Sequence, residues 1–423
     1  MARPTDKQSE KSLDRPTLGL AGDFLLLGCS ILISLLLVEL LIRHYYPLGE
    51  TIYTLDRRYL HRHLPNSRQL FRLSRANGGA KVIAAVNGEG RRGDRVSPTS
   101  PHILVYGDSF IFGGTSPLQA TFVWQLMKNL NGTLSPPPQV INCGVSGYGP
   151  DQESLVMEDE IDRLKPRLVI AAIYVGNDFG DLMRDKIYKL DARGQLVDNH
   201  YTLDPALVNL FKYTQAEASP LYTLRLLRQV WTRLAPAEAS LPTCLPRDYF
   251  AEWLGECRRE YEEYVNQGDN RVWNLFMDHY DADVSLTPSG ESSKYKQALM
   301  DRVIERMASI AAKRSIPIMF LVIPDAIDVV DDYEPRVDTN KYPEYRRSRL
   351  TDIVEAIARK QQLPYLNLFL PFQERGAAAL YYAGDNNHWN ARGQELAARL
   401  VAEYILRHHL LEAANPLSEL SDQ

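Results

Sequence analysis

The chain has 423 residues, 45% of them hydrophobic and 24% charged, with a formal net charge of -5. That excludes a disordered or low-complexity chain and leaves apolar material for a sizeable core, with length beyond what one compact domain needs. The acidic balance, without a basic stripe of interleaved aromatics, excludes a nucleic-acid partner, and 4 cysteines are too few for a disulfide scaffold.

The first element is the run FLLLGCSILISLLLVELLI at 24–42, in which Glu39 is the single charge. At helical rise it matches the roughly 30 Å hydrocarbon core of a bilayer. A cleaved signal peptide, a lipoprotein signal ending at Cys29 and a buried core helix fit less well. No small-residue cleavage site follows, the run continues past Cys29, and it is apolar on every side. The expectation is a signal anchor after a cytoplasmic tail (1–23), with Tyr45 and Tyr46 as interface aromatics and Glu39 near enough to the end to reach the interface. Arg3, Lys7, Lys11 and Arg15 are balanced by Arg43, Arg57, Arg58 and Arg62, so the short tail decides the expected orientation. The expectation is a single-pass inner membrane protein with the bulk of the chain in the periplasm.

Residues 46–100 are polar, basic and poor in long periodic segments, a membrane-proximal connector that wraps onto the next domain. Its His61 and His63 have no carboxylate or cysteine company and read as ordinary residues, not metal ligands. Next, Ile103-Leu104-Val105-Tyr106 reads as a buried parallel strand, followed by Gly107-Asp108-Ser109-Phe110 and a helical pattern over 117–130. Ser109 then sits at a strand-to-helix corner, its N–H facing out of a helix N-terminus and its hydroxyl placed for nucleophilic attack.

A second short strand begins near Val140 and opens into the glycine-rich turn Cys143-Gly144-Val145-Ser146-Gly147-Tyr148-Gly149, where backbone N–H groups can face a ligand. A third, 168–175, is apolar throughout, as a strand buried on both faces requires, and ends in Gly176-Asn177-Asp178. Residues 184–293 are an insertion, expected as a cap or substrate platform. It carries Tyr201, Tyr213, Tyr222, Trp231, Tyr249, Trp253, Tyr261, Tyr264 and Trp273, either a sugar-stacking surface or, more simply, its own core. Cys244 and Cys257 lie within it, as a disulfide or as buried thiols. Two strand-helix units follow: helix 294–314, strand 316–323, helix 345–362 and strand 365–368. The loop Gly384-Asp385-Asn386-Asn387-His388-Trp389-Asn390 then precedes a helical pattern over 391–406. An aspartate three residues before a histidine can bond the imidazole Nδ1–H and leave Nε2 free to take a serine proton.

Ser109, Gly147, Asn177 and His388 occur in the order of the four residues that name the SGNH (GDSL-type) serine hydrolases, and the chain resembles that family over about 200 residues, 101–183 and 294–412. The resemblance implies a three-layer α/β/α sandwich on a five-stranded, mostly parallel sheet. It implies Ser109 as nucleophile, His388 as base and Asp385 as its orienting carboxylate. It also implies an oxyanion hole of Ser109 N–H, Gly147 N–H and the Asn177 amide. Asn87, Gly90 and Arg92 resemble an Asn-x-x-Gly-x-Arg signature of larger bacterial members, with Arg91 where those usually carry an aromatic.

The implied activity is an acyl-enzyme ester hydrolase that removes O-acyl, foremost O-acetyl, groups from an extracytoplasmic glycan or envelope component; an acylated lipid is a second substrate class. Two alternatives stand beside it: an O-acetyltransferase working with a membrane acyl-donor protein on an exported polysaccharide, and a non-catalytic scaffold of an export assembly. Serine before Asp-His favours the esterase over the transferase, and the complete residue set disfavours the scaffold. No cofactor and no metal is expected, for lack of a cysteine-histidine cluster or a Gly-x-x-x-x-Gly-Lys phosphate loop. Residues 413–423 are a C-terminal tail.

Overall fold

A computed structural model describes residues 19–45, 52–200, 221–224, 226, 227, 230, 248–266, 280–384 and 388–412. The chain divides into two compact units, one of 1–48 with 219–237 and one of 49–218 with 238–423.

In the first unit, α1 (Leu20–Tyr45) is long and apolar enough to cross a membrane, and its leucines and isoleucines from Leu25 to Leu41 are exposed. Glu39 does not depend on reaching the interface, as its position suggested. It is buried, accepting from the backbone N–H of Tyr222 (2.8 Å) and Thr223 (2.9 Å), the Thr223 hydroxyl (2.7 Å) and Arg43 Nε (2.8 Å). Residues 222–224 are helical, so this carboxylate meets the first N–H groups of a helical turn, which have no partner inside the helix.

The second unit is built on five parallel strands: β5 (His102–Tyr106), β6 (Gln139–Asn142), β7 (Leu168–Tyr174), β10 (Ile318–Ile323) and β11 (Tyr365–Asn367). They stand side by side in the order β11, β10, β7, β5, β6, every neighbouring pair parallel. Each central strand sends alternate residues to opposite faces, so each must be apolar throughout. From β7, Val169, Ala171 and Ile173 enter one core, and Leu168, Ile170, Ala172 and Tyr174 the other. The first core lies under α4 (Pro150–Leu164), α5 (Asp178–Asp185), α8 (Glu291–Ala312) and α10 (Arg349–Lys360). The second lies under α3 (Phe122–Asn131) and α12 (Ala391–Arg407). This is the three-layer α/β sandwich expected, with strands beginning within two residues of their expected starts.

The connector is more structured than its sequence suggests. It forms two antiparallel hairpins, β1 (Tyr53–Asp56) with β2 (Leu60–His63) and β3 (Arg68–Arg72) with β4 (Lys81–Ala85). The Asn-x-x-Gly-x-Arg segment is a tight turn. Asn87 Oδ1 accepts from the N–H of Glu89 (2.8 Å) and Arg91 (3.1 Å), and Gly90 takes the positive φ of 75°. That turn delivers two buried arginines. Arg92 donates to the carbonyls of Phe112 (3.1 Å), Gly113 and Ser116 (2.5 Å), closing the exit of the turn that holds Ser109. Arg91, at the usual aromatic position, is buried because Glu160 pairs with it and Cys143 Sγ lies 2.7 Å away.

Of the insertion, β8 (Tyr188–Leu190), β9 (Leu196–Asp198), α6 (Tyr249–Asn266) and α7 (Ala282–Leu286) are described, and α6 packs on α5, α7 and α8. Most aromatics of α6 serve this packing: Phe250 and Tyr264 are buried, the latter with its hydroxyl on the Tyr188 carbonyl, and Trp253 and Tyr261 pack on the first core, while Tyr249 is exposed. Tyr201, Tyr213, Trp231 and Trp273 lie outside the described residues, as does Cys244, read with the buried Cys257 as either a disulfide or two free thiols.

The turn after β6 crosses the turn that holds Ser109 so closely that a Cβ on Gly144 would stand 2.6 Å from the backbone nitrogen of Phe112. Because the obstacle is backbone, Gly144→Ala is expected to lower stability by about 1–3 kcal/mol, read by urea unfolding of the detergent-solubilised chain.

Candidate active site

Ser109 opens α2 (Ser109–Phe112), directly after β5, with Asp108 as the N-cap whose carboxylate accepts from Phe110 N–H at 2.8 Å. The turn is tight because Gly107 packs against Ile111 and Ala172, where a Cβ would stand 2.2 Å from Ile111 Cγ1. Ser109 is thereby left partly exposed while Phe110, Ile111 and Phe112 are buried around it.

The serine hydroxyl meets His388 Nε2 at 2.6 Å, a contact spanning 279 residues of sequence. A neutral imidazole accepting there carries its proton on Nδ1. The ring is held by its neighbours. It stacks on Phe110 with centroids 4.7 Å apart and planes 16° from parallel, and the adjacent Trp389, buried, donates from Nε1 to the Phe110 carbonyl at 3.2 Å. Tyr382 N–H bonds the His388 carbonyl (3.0 Å), and Tyr381 bridges Trp389. Asp385 lies outside the described residues.

The other two expected residues end the neighbouring strands. Gly147 lies in the turn after β6 with φ of 77°, and Asn177 is the N-cap of α5, just after β7. Asn177 and Gly147 are buried. Among the described residues no acceptor faces the backbone N–H of Ser109 or Gly147. Serine, glycine and asparagine thus end three adjacent strands, β5, β6 and β7, on one edge of the sheet, where the strand order reverses.

A group of buried acids, not foreseen, lies at the N-cap of α2, in the first turn of α4 and along α5. Asp108, Asp151, Glu153, Asp178, Asp181 and Asp185 are all buried, with Arg184 among them. Arg184 Nη1 meets Asp181 at 2.6 Å, its Nε meets Asp185 at 3.3 Å, and its Nη2 donates to the Gly147 carbonyl at 2.8 Å. Burial, and then the charges of Asp108, Asp151 and Asp181, hold the Glu153 carboxyl well above the usual range. Burial likewise raises Asp178, reinforced by Asp108, Glu153 and Asp181. Asp185 is pushed up to about 6 by burial, against the pull of Arg184. These groups keep protons that exposed carboxyls would lose. The sequence signal that was available is the acid density itself, three acids in 178–185 and two in 151–153, on segments whose neighbours are core residues.

A different acid pair, Asp281 and Asp283 with Cys257, is the one described group compact enough for a metal ion. The fully buried Lys296 ammonium already fills it, at 3.2 and 3.0 Å from the two carboxylates. His61 and His63, expected as ordinary loop residues, are instead buried on β2, bonded to the Ser146 and Gly90 carbonyls.

Glu153→Gln is isosteric and needs no proton. The wild-type folded state binds more protons than the unfolded chain above the ordinary glutamate value of 4.5, so its stability falls as pH rises through that window. The variant is expected to be more stable than wild type at pH 8 and to lose that advantage towards pH 4.5. The change is at least about 1 kcal/mol, a displaced ionisation being worth about 1.4 kcal/mol per pH unit. Thermal unfolding across that pH range measures it.

Comparison with known proteins returns no matching family model and no matching curated sequence. Solved structures do resemble the chain. An acetylxylan esterase from Geobacillus stearothermophilus, as its D191A catalytic mutant, is 12% identical, covering 74% of this chain and 96% of its own, with a TM-score of 0.35. A putative lipolytic protein of the G-D-S-L family from Desulfitobacterium hafniense is 11% identical over 72% and 99%, with a TM-score of 0.33. A lipase/acylhydrolase from Enterococcus faecalis is 14% identical over 73% and 96%, with a TM-score of 0.35.

Proposed function

We propose that this chain is a serine ester hydrolase of SGNH type, working through an acyl-enzyme. The observation that carries the reading is the 2.6 Å contact between Ser109 Oγ and His388 Nε2; the backbone N–H groups of Ser109 and Gly147, after adjacent strands, meet no acceptor among the described residues. Ser109 Oγ attacks the ester carbonyl carbon as its proton passes to His388 Nε2. The carbonyl oxygen, now negative, is held by the N–H groups of Ser109 and Gly147 and by the Asn177 amide. Collapse breaks the bond to the alcohol, which leaves with the proton from His388. Water, deprotonated by the same imidazole, then attacks the acyl-serine and frees the acid. Asp385 is the proposed partner of Nδ1–H, keeping the tautomer that this cycle requires.

The proposed substrate is a short acyl ester, O-acetyl first, on a glycan or other envelope component outside the cytoplasm. Support comes from α1, whose span 21–45 is 25 residues long and holds an 18-residue window of mean hydropathy 2.7, long and apolar enough to cross a membrane. In this reading the catalytic unit is periplasmic, and the chain is an inner membrane protein.

With p-nitrophenyl acetate and the detergent-solubilised full chain, wild type is expected to turn over continuously and Ser109→Ala not at all above background. Asn177→Ala is expected to lose roughly a hundredfold or more in kcat with KM within a few fold, as removal of one oxyanion donor does elsewhere. Release equal in wild type and Ser109→Ala would refute the serine mechanism, and one stoichiometric burst without turnover would turn the reading to acyl transfer.

A further inference from the structure

The turn after β6 offers its group through the backbone, so no rotamer sets that group's direction; the peptide plane does. A trans peptide is planar, with C=O and N–H pointing opposite ways. The N–H of Gly147 shares its plane with the C=O of Ser146. Val145 to Tyr148 is a β-turn closed by Tyr148 N–H on the Val145 carbonyl at 3.1 Å. The positive φ of Gly147, with none at Ser146, makes it type II. Types I and II differ chiefly by a flip of the central peptide, here that between Ser146 and Gly147, and a flip would turn the Gly147 N–H around.

Two side chains hold this turn from behind. His61 Nε2, on β2 of the connector, lies 3.0 Å from the Ser146 oxygen. A carbonyl only accepts, so Nε2 carries the hydrogen. Arg184 Nη2 holds the next carbonyl, that of Gly147, at 2.8 Å. Both are themselves fixed. Tyr148 hydroxyl donates to the His61 carbonyl (2.7 Å) and its ring meets the imidazole edge-on at 5.0 Å, while Gln152 ties the Tyr59 carbonyl at 2.6 Å. Arg184 is gripped by Asp181 and Asp185 and sits on α5, the helix that Asn177 opens.

We infer that His61 and Arg184 are positioning residues that hold the Ser146–Gly147 peptide in the one orientation that aims the Gly147 N–H at a developing oxyanion. This makes the β1–β2 hairpin of the membrane-proximal connector a working part of the active site. The inference rests on the proposed role of Gly147 and adds what fixes it. Burial drives the His61 imidazole down to about 3, so it stays a neutral donor at any pH where His388 acts as a base.

The test compares His61→Gln, whose amide nitrogen keeps a donor near the place of Nε2, with His61→Met, which fills the space without one. The full chain in detergent is used, and rates are normalised to sites titrated with a p-nitrophenyl phosphonate that labels Ser109. His61→Met is expected to lose about ten- to a hundredfold in kcat and in phosphonylation rate per titrated site, with KM within about threefold. His61→Gln is expected to stay within about threefold of wild type. The pH midpoint, set by His388, is expected to stay put in both. A merely structural role would lower thermal stability and the titrated fraction and leave the rate per site unchanged, which overturns the inference. Equal loss in the Gln and Met variants overturns it too. Wild type unlabelled at Ser109 overturns the esterase reading and this inference together. Should His61→Met not fold, Tyr148→Phe removes one tie to the hairpin and keeps the imidazole. It is expected to lower kcat per site about three- to tenfold, and a wild-type rate there overturns the inference.

Discussion

Parallel strands in the order β11, β10, β7, β5, β6 have one point where the chain stops adding strands on one side and begins adding them on the other, and it lies between β5 and β7. Chains leaving adjacent strands there turn to opposite helical layers and leave a crevice between them. α3, the long helix after β5, lies over the core that receives Ile103 and Val105, and α5, which follows β7, over the one that receives Leu104 and Tyr106. Ser109 and Asn177 flank that crevice. Everything else at the site is support for groups placed there by strand order.

That support is costly in a dry interior. A serine corner, a glycine turn and an asparagine cap all present backbone or amide groups to a small volume, and the helices starting beside them, α4 and α5, bring acids to their positive N-termini. Glu153 and Asp178 answer the cost of burial by retaining protons, and Arg184 answers it for Asp181 and Asp185. The same arginine reaches the Gly147 carbonyl, so one cation serves both charge balance and backbone geometry. Arg91 and Arg92 repeat the pattern on the other side of the nucleophile turn, one neutralised by Glu160, the other spread over three carbonyls. Burial pushes Arg92 down to about 10, which still leaves it charged near neutrality.

The connector changes meaning in this light. Its strands run for only four or five residues and β4 alone alternates between buried and exposed, so no periodicity stands out against the polar background. LHRH at 60–63 is buried at Leu60, His61 and His63, and nothing in those residue types announces it. In the structure this segment bonds the turn that carries Gly147, and Arg92 closes the turn that carries Ser109. The chain between α1 and the first sheet strand is therefore continuous with the active site through hydrogen bonds to backbone carbonyls.

What the sequence by itself determined is the part governed by near neighbours. Continuous apolar runs marked β5, β7 and β10, glycines marked the turns at 107, 144 and 176, and helical spacing marked α3, α8, α10 and α12, since burial on two faces or one stripe writes itself into residue order. Ser109, Gly147, Asn177 and His388 were singled out as candidates by their resemblance to a family pattern, and the structure sets the first three just after neighbouring strands. Tertiary structure alone decided which strands are neighbours, that His388 meets Ser109 across 279 residues, that Glu39 bonds the turn at Tyr222 and Thr223, and that His61 and Arg184 hold the Ser146 and Gly147 carbonyls. Every residue has a carbonyl, so a bond to one leaves no mark in the sequence. A buried acid looks like a solvated one until the fold removes the water.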